Sequence, residues 1–252
     1  MAVIAEIIGM IFLLACLIRD TSSKWKWRHN LVIKLVSLGL PVGIRWLLDA
    51  GGWTILIVMI ARLGESELAA NQIATKIMCI SILPVYGLAE TTCVLTGQCT
   101  GARHFVALAR SLRSAVLLGL ILMGFCGAIF MIFSYDLAWY FQSDLSVVNM
   151  AAETLMLIAI YQIIVAFSMP TAGALNGTGD TRFTMVVSVT STWFIMVPLA
   201  YWFGFQLNWG ASGMWGALIF QELLVAIAVL WRFRSGKWKH HEAIETNLTS
   251  SI

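Results

Sequence analysis

LVSLGLPVGIRWLLDAGGWTILIVMIA, from Leu35 to Ala61, is the stretch whose reading decides the fold. As an α-helix these residues would reach roughly 40 Å, against a hydrocarbon core of about 30 Å, so the stretch reads as a tilted membrane span. It carries Pro41, Arg45, Asp49 and the pair Gly51-Gly52. Asp49 falls near the middle, where a carboxylate is costly unless it faces a cavity or a partner. Arg45 stands one helical turn earlier, so an i,i+4 ion pair is within reach. Two readings follow. Either Arg45 neutralises Asp49 and the pair is structural, or Asp49 is a carboxylate that responds to a cation or a solute.

The composition extends that reading to the whole chain. Of the 252 residues 60% are hydrophobic and 12% charged, about half the charge usual for a soluble domain, and the mean hydropathy is +0.85. So few charges cannot cover a soluble fold of this size. The fold class is therefore all-α, a polytopic helical membrane protein with about seven transmembrane helices. Cys16, Cys79, Cys93, Cys99 and Cys126 are odd in number and lack C-x-x-C spacing, so neither a disulfide framework nor a zinc site is indicated. The four histidines lie in loops or the tail without further ligands at metal-binding spacing, and no metal is expected. No Ser/His/Asp, H-E-x-x-H or phosphate-loop pattern appears, so no enzyme is expected and no cofactor is implied.

Outward from the organising stretch, residues 1–18 read as a first transmembrane helix. They lack the basic start and the small-residue cleavage site of a signal peptide. Residues 19–34 form a basic loop in which Lys24, Lys26 and Arg28 alternate with Trp25 and Trp27, as expected at a headgroup surface rather than on nucleic acid. Residues 35–235 hold six further spans, near 35–61, 68–96, 114–133, 147–175, 183–203 and 213–231. The acidic, aromatic connector from Ser134 to Ser146 has the pattern of an interfacial helix. Residues 236–252 are a polar tail. Pro41, Pro84, Pro170 and Pro198 all fall inside spans, where each frees a carbonyl, so they mark either bends with a role in movement or kinks of packing only.

Charge tests this topology. With alternating loops, one side receives Arg19, Lys24, Lys26, Arg28, Lys34, Arg103, Arg110, Arg113, Arg182, Arg232, Arg234, Lys237 and Lys239, which is 13 of the 16 basic residues. The other side receives only Arg62, while Arg45 and Lys76 stay within spans. Such a bias marks the basic side as cytoplasmic, with the amino terminus outside and the carboxyl terminus inside.

Four blocks then coincide with a known family. Leu38-Gly-Leu-Pro-Val-Gly43 with Asp49 resembles the opening of helix seven of the multidrug and toxic compound extrusion (MATE) transporters. Leu63-Gly64 with Ala69-Ala-Asn-Gln-Ile73 is similar to their junction into helix eight, and Gly97-Gln98 with Gly101-Ala102 to its cytoplasmic end. Tyr161-Gln162, followed by Ala172-Gly-Ala-Leu-Asn-Gly177 and Asp180, resembles helix ten and its turn. The resemblance covers about residues 1 to 235 and matches the sixth helix plus the carboxyl-terminal six-helix lobe of a twelve-helix architecture. The amino-terminal lobe has no counterpart in this sequence.

The resemblance implies cation-coupled antiport, driven by H+ or Na+, that exports amphiphilic and often cationic organic compounds across the plasma (inner) membrane by rocking of two lobes. It implies that Asp49 matches a coupling carboxylate and Tyr161 a nearby tyrosine, while Val165 stands where some members carry a second carboxylate. Arg45, Asp49, Tyr161, Gln162 and Glu222 are the cation- or substrate-binding candidates, with Tyr161 and Gln162 expected to line a cavity and Glu222 open also to a plain interhelical hydrogen bond. Trp46 and Trp53 either offer aromatic faces to cations or face lipid. Lys76 and Glu90 rank second. They stand roughly 21 Å apart along one helix and cannot pair with each other. The expected partners are the bilayer, small organic solutes, and a separate amino-terminal lobe or a second copy. Two alternatives stay open: a flippase for lipid-linked oligosaccharides, and a non-transporting subunit or remnant.

Overall fold

The computed structural model describes residues 29–236 and residue 238. The expected first span at residues 1–18, most of the basic loop and nearly all of the tail lie outside the described residues. The chain divides into two compact units, Met1–Ser37 and Leu38–Ile252. In the first, residues 29–37 are helical. The second holds the rest of the described residues.

Among the described residues there is no strand, and six helices are long and apolar enough to cross a membrane. They are α1 (His29–Ala61), α2 (Glu65–Gly101), α3 (Phe105–Trp139), α4 (Leu145–Gly177), α5 (Thr181–Gln206) and α6 (Gly210–Arg234). All six spans expected in residues 35–235 are present. Connections of only a few residues make successive helices run up and down, as in other helix bundles with short loops.

Residues Ser134 to Ser146 do not form a separate interfacial helix. α3 continues to Trp139 past a kink at Phe133, where φ is −113° and ψ 21°. Ser134 and Ala138, small residues four apart on one face, are buried, and Ala138 packs in a cluster with Ala70, Val147, Val148 and Ala151. That packing keeps the last turns on the bundle. Asp144 then caps α4, its Oδ1 accepting from the Ser146 amide at 2.9 Å.

The expectation that every proline marks a bend is met unevenly. Pro41, Pro84 and Pro170 lie within uninterrupted helices. Pro198 sits between two π-helical turns of α5, Thr192–Met196 and Trp202–Gln206. A π-turn accommodates an extra residue in the ladder, which suits a helix that has lost a donor to proline.

Two turns are built alike. After α4 the Asp180 amide reaches back to the Leu175 carbonyl at 3.0 Å, with Gly179 at φ +89°. After α2 the His104 amide reaches the Cys99 carbonyl at 2.9 Å, with Arg103 at φ +57°. Both are left-handed helix ends that satisfy terminal carbonyls. Glycine adopts that conformation without strain, and arginine does so at a cost.

α4 is the central helix, packed against α2 and α3 through small residues. A Cβ on Gly173 would come 2.3 Å from the Ala89 carbonyl oxygen, and one on Gly177 2.2 Å from that of Cys93. On the α3 side, Gly119 and Gly127 stand in the same relation to Ala166 and Ala159, each at 3.3 Å. Lipid gives helices no hydrophobic reason to associate, so close backbone approach and van der Waals contact supply the attraction. The largest core cluster joins Leu56 and Ile60 of α1, Leu155 and Ile158 of α4, Met196 of α5, and Met214 and Trp215 of α6.

Candidate functional site

Near the middle of α1, Asp49 faces α5. The Ser188 Oγ lies 3.0 Å from its Oδ1 and 2.8 Å from its Oδ2, and the Thr192 Oγ1 lies 3.4 Å from Oδ1. Ser188 and Thr192 are four residues apart, so one face of α5 presents both hydroxyls. The glycine pair that follows Asp49 explains why α5 comes so close. A Cβ on Gly52 would sit 2.3 Å from the Thr192 Cγ2, and one on Gly51 would be 3.3 Å from the Trp193 ring.

The ion pair between Arg45 and Asp49 does not form. The Arg45 guanidinium instead lies over the Trp46 ring, 5.8 Å from its centroid, and its Nε is buried without a hydrogen-bond partner. Trp46 in turn stacks on Tyr86 of α2, with centroids 6.0 Å apart and planes 28° from parallel. Asp49 has turned to α5, where two hydroxyls meet it, and the arginine one turn away makes no direct bond to it.

α6 adds two consecutive polar residues that reach different neighbours. Gln221 is buried and donates through Nε2 to the Ser191 Oγ at 3.0 Å, while Ser191 donates to the Ser188 carbonyl at 2.9 Å. Glu222 is half-buried and accepts a hydrogen bond from the Ser168 Oγ of α4. Polar groups therefore link α1 to α5, α5 to α6 and α6 to α4. Asp49, Arg45 and Glu222 also lie within electrostatic reach of one another, with Tyr86 and Tyr161 alongside.

The remaining sequence candidates separate. Tyr161 is half-buried and packs edge-on against Trp215 at 6.2 Å. Trp215 is itself fully buried, donates to the Asn71 Oδ1 at 2.9 Å and meets the Trp53 ring at 5.9 Å. Gln162 does not line an open cavity. It is 0% exposed, and its Nε2 donates to the Ser81 Oγ at 2.6 Å between α4 and α2. Val165 is buried with Ile82, Val85 and Met123. Lys76 and Glu90 are exposed on α2. Sequence reasoning missed Ser168, Ser188, Thr192 and Tyr86. The one signal present was the row of hydroxyls at Ser188, Ser191 and Thr192, spaced to share a helix face in an otherwise apolar span.

The model of the MatE family matches residues 41–202. A probable multidrug resistance protein NorM from Xylella fastidiosa (strain 9a5c) is 32% identical over 203 residues, which are 79% of this chain and 43% of that protein. The multidrug resistance protein PmpM of Pseudomonas aeruginosa is 29% identical over 206 residues, 78% of this chain and 42% of its own length. Among solved structures, a MATE protein in its straight conformation superimposes with a TM-score of 0.84 at 21% identity, over 94% of this chain and 55% of that one. A MOP superfamily transporter from Pyrococcus furiosus gives 0.83 at 22% identity, with the same two shares. The chain spans about half the length of the curated relatives it matches. With a family model matching well over half of its residues and a relative close to one-third identical, this integral membrane chain belongs to the MatE family.

Proposed function

We propose that this chain forms one lobe, the carboxyl-terminal one by resemblance, of a cation-coupled exporter of amphiphilic organic compounds in the plasma (inner) membrane. A second six-helix lobe, from a separate chain or a second copy, closes the cavity. Asp49 carries the reading. It is a carboxylate near the middle of a span, held by neutral hydroxyls even though a guanidinium stands one turn away. Hydroxyl donors are surrendered more readily than a bidentate arginine, so H+ or Na+ can exchange at Asp49 without breaking an ion pair. The coupling ion thereby biases how α5 sits against α1. Glu222, linked to α4 through Ser168, is the second carboxylate in reach. The basic helix ends face the cytoplasm.

The test is the full chain reconstituted in liposomes, with efflux of a fluorescent amphiphile followed under an imposed proton or sodium gradient. Gradient-driven efflux that Asp49→Asn abolishes is the expected result. Absence of efflux from the wild-type chain overturns export by copies of this chain and favours a non-transporting subunit. Efflux that Asp49→Asn leaves unchanged overturns the role given to that carboxylate.

A further inference from the structure

The outer face of α3 carries charge that the bundle does not use. Leu108, Leu112, Gly119, Met123 and Gly127 are buried, with both glycines against α4. Val106, Arg110, Arg113, Leu117 and Ile121 follow one another at helical spacing on the opposite side, and all five are exposed. Arg110 and Arg113 stand three residues apart, so their guanidiniums can meet at one group. α3 holds no acidic residue before Asp136, and neither arginine forms an ion pair among the described residues. Arg232, by contrast, is committed to Asp180.

Length sets the depth of the two arginines. Residues 114–135 hold no charge and, as a helix, reach roughly 33 Å, close to the about 30 Å of a hydrocarbon core. With that run in the core, Asp136 meets one boundary and Arg113 the other. Arg110 stands roughly 4.5 Å further out, at the depth of lipid phosphates. The aliphatic stem of Arg113 can lie along lipid while its head turns to the same depth. On the core side of them, Leu117 and Ile121 offer an apolar track for an acyl chain. A guanidinium pair at phosphate depth, next to an apolar track and with no carboxylate to neutralise it, matches an anionic phospholipid. A zwitterionic lipid brings an ammonium group that both arginines repel, whereas phosphatidylglycerol brings a phosphate and hydroxyls only.

We infer that Arg110, Arg113, Leu117 and Ile121 form a binding site for an anionic phospholipid, with phosphatidylglycerol as its simplest occupant. Both guanidiniums hold the phosphate, and one acyl chain lies along the two apolar side chains. The lipid is a resident ligand of the lobe and not a solute that it moves.

The test is native mass spectrometry of the full chain released from detergent, with dioleoyl phosphatidylglycerol and dioleoyl phosphatidylcholine in competition. Phosphatidylglycerol is expected to bind about tenfold more tightly, the order of preference that two interfacial arginines supply. Arg110→Gln combined with Arg113→Gln is expected to bring the preference below about threefold, and Arg110→Lys combined with Arg113→Lys to keep most of it. Arg182→Gln combined with Arg234→Gln removes as much exposed charge elsewhere in the lobe and is expected to leave the preference unchanged. Glycerol phosphate, a headgroup without chains, is expected not to displace the lipid at equal concentration. Equal binding of the two lipids overturns the inference. So does a preference that survives the loss of Arg110 and Arg113, or one lost as fully with Arg182 and Arg234. Displacement by glycerol phosphate overturns the part given to the apolar track.

Discussion

Two aspartates in this lobe are held in opposite ways. Asp180, in the turn between α4 and α5, is 3% exposed and accepts from the Arg232 Nε of α6 at 2.7 Å, while the same guanidinium stacks on Phe183 at 4.9 Å. Asp49 has an arginine one turn away and makes no hydrogen bond or ion pair to it. Neutralised by a guanidinium, Asp180 fastens the end of α6 to the α4–α5 turn. Asp49 is met instead by the hydroxyls of Ser188 and Thr192, which carry no charge. The difference separates a carboxylate bonded to a cation from one met by neutral donors, and sequence position alone did not announce it.

The largest expected effect is on Asp180. Asp180→Ala strands Arg232 beside a half-buried turn and is expected to cost about 3 kcal/mol or more in reversible unfolding from detergent, much of it recovered when Arg232→Met is added. A loss below about 1 kcal/mol would erase the contrast. Next is Gly177→Ala, three residues earlier, where the new methyl would meet the Cys93 carbonyl and the Thr96 hydroxyl. It is expected to lower stability by about 1 to 3 kcal/mol through overpacking, while Gly39→Ala, with nothing within 4 Å, serves as the silent control. Ser188→Ala is expected to cost about 1 kcal/mol, within the range of hydrogen bonds between membrane helices. The smallest change in stability belongs to Asp49→Asn, which keeps an acceptor for Ser188 and is expected to shift unfolding by less than about 1 kcal/mol. The same variant is expected to abolish efflux. A variant as unstable as Asp180→Ala would show that Asp49 is structural after all.

The spans were legible because a bilayer imposes length and hydropathy directly on the sequence, and the cluster of Asp49, Arg45 and Glu222 was legible because charge inside a span is costly. Partner choice was not. An i,i+4 spacing makes an Arg45–Asp49 pair available, but which way each side chain turns depends on α5, more than a hundred residues downstream. Gln162 misled for a related reason: a polar residue in a span is equally compatible with a cavity wall and with a buried interhelical bond, and Ser81 decided for the second. The end of α3 was misread because the charge and aromatic pattern of residues 134–146 hides the two small residues, Ser134 and Ala138, that hold it on the bundle.

The crossing of α1 and α5 at Gly52 and Thr192 limits what movement is open to them. With less space than a methyl group requires, neither helix can slide sideways through the other. Swivelling about the crossing remains, with Asp49 three residues from the fulcrum and the long apolar arms of both helices sweeping further out. Any swivel about that contact would move the far ends of both helices more than it moves Asp49, because displacement grows with distance from the point of closest approach.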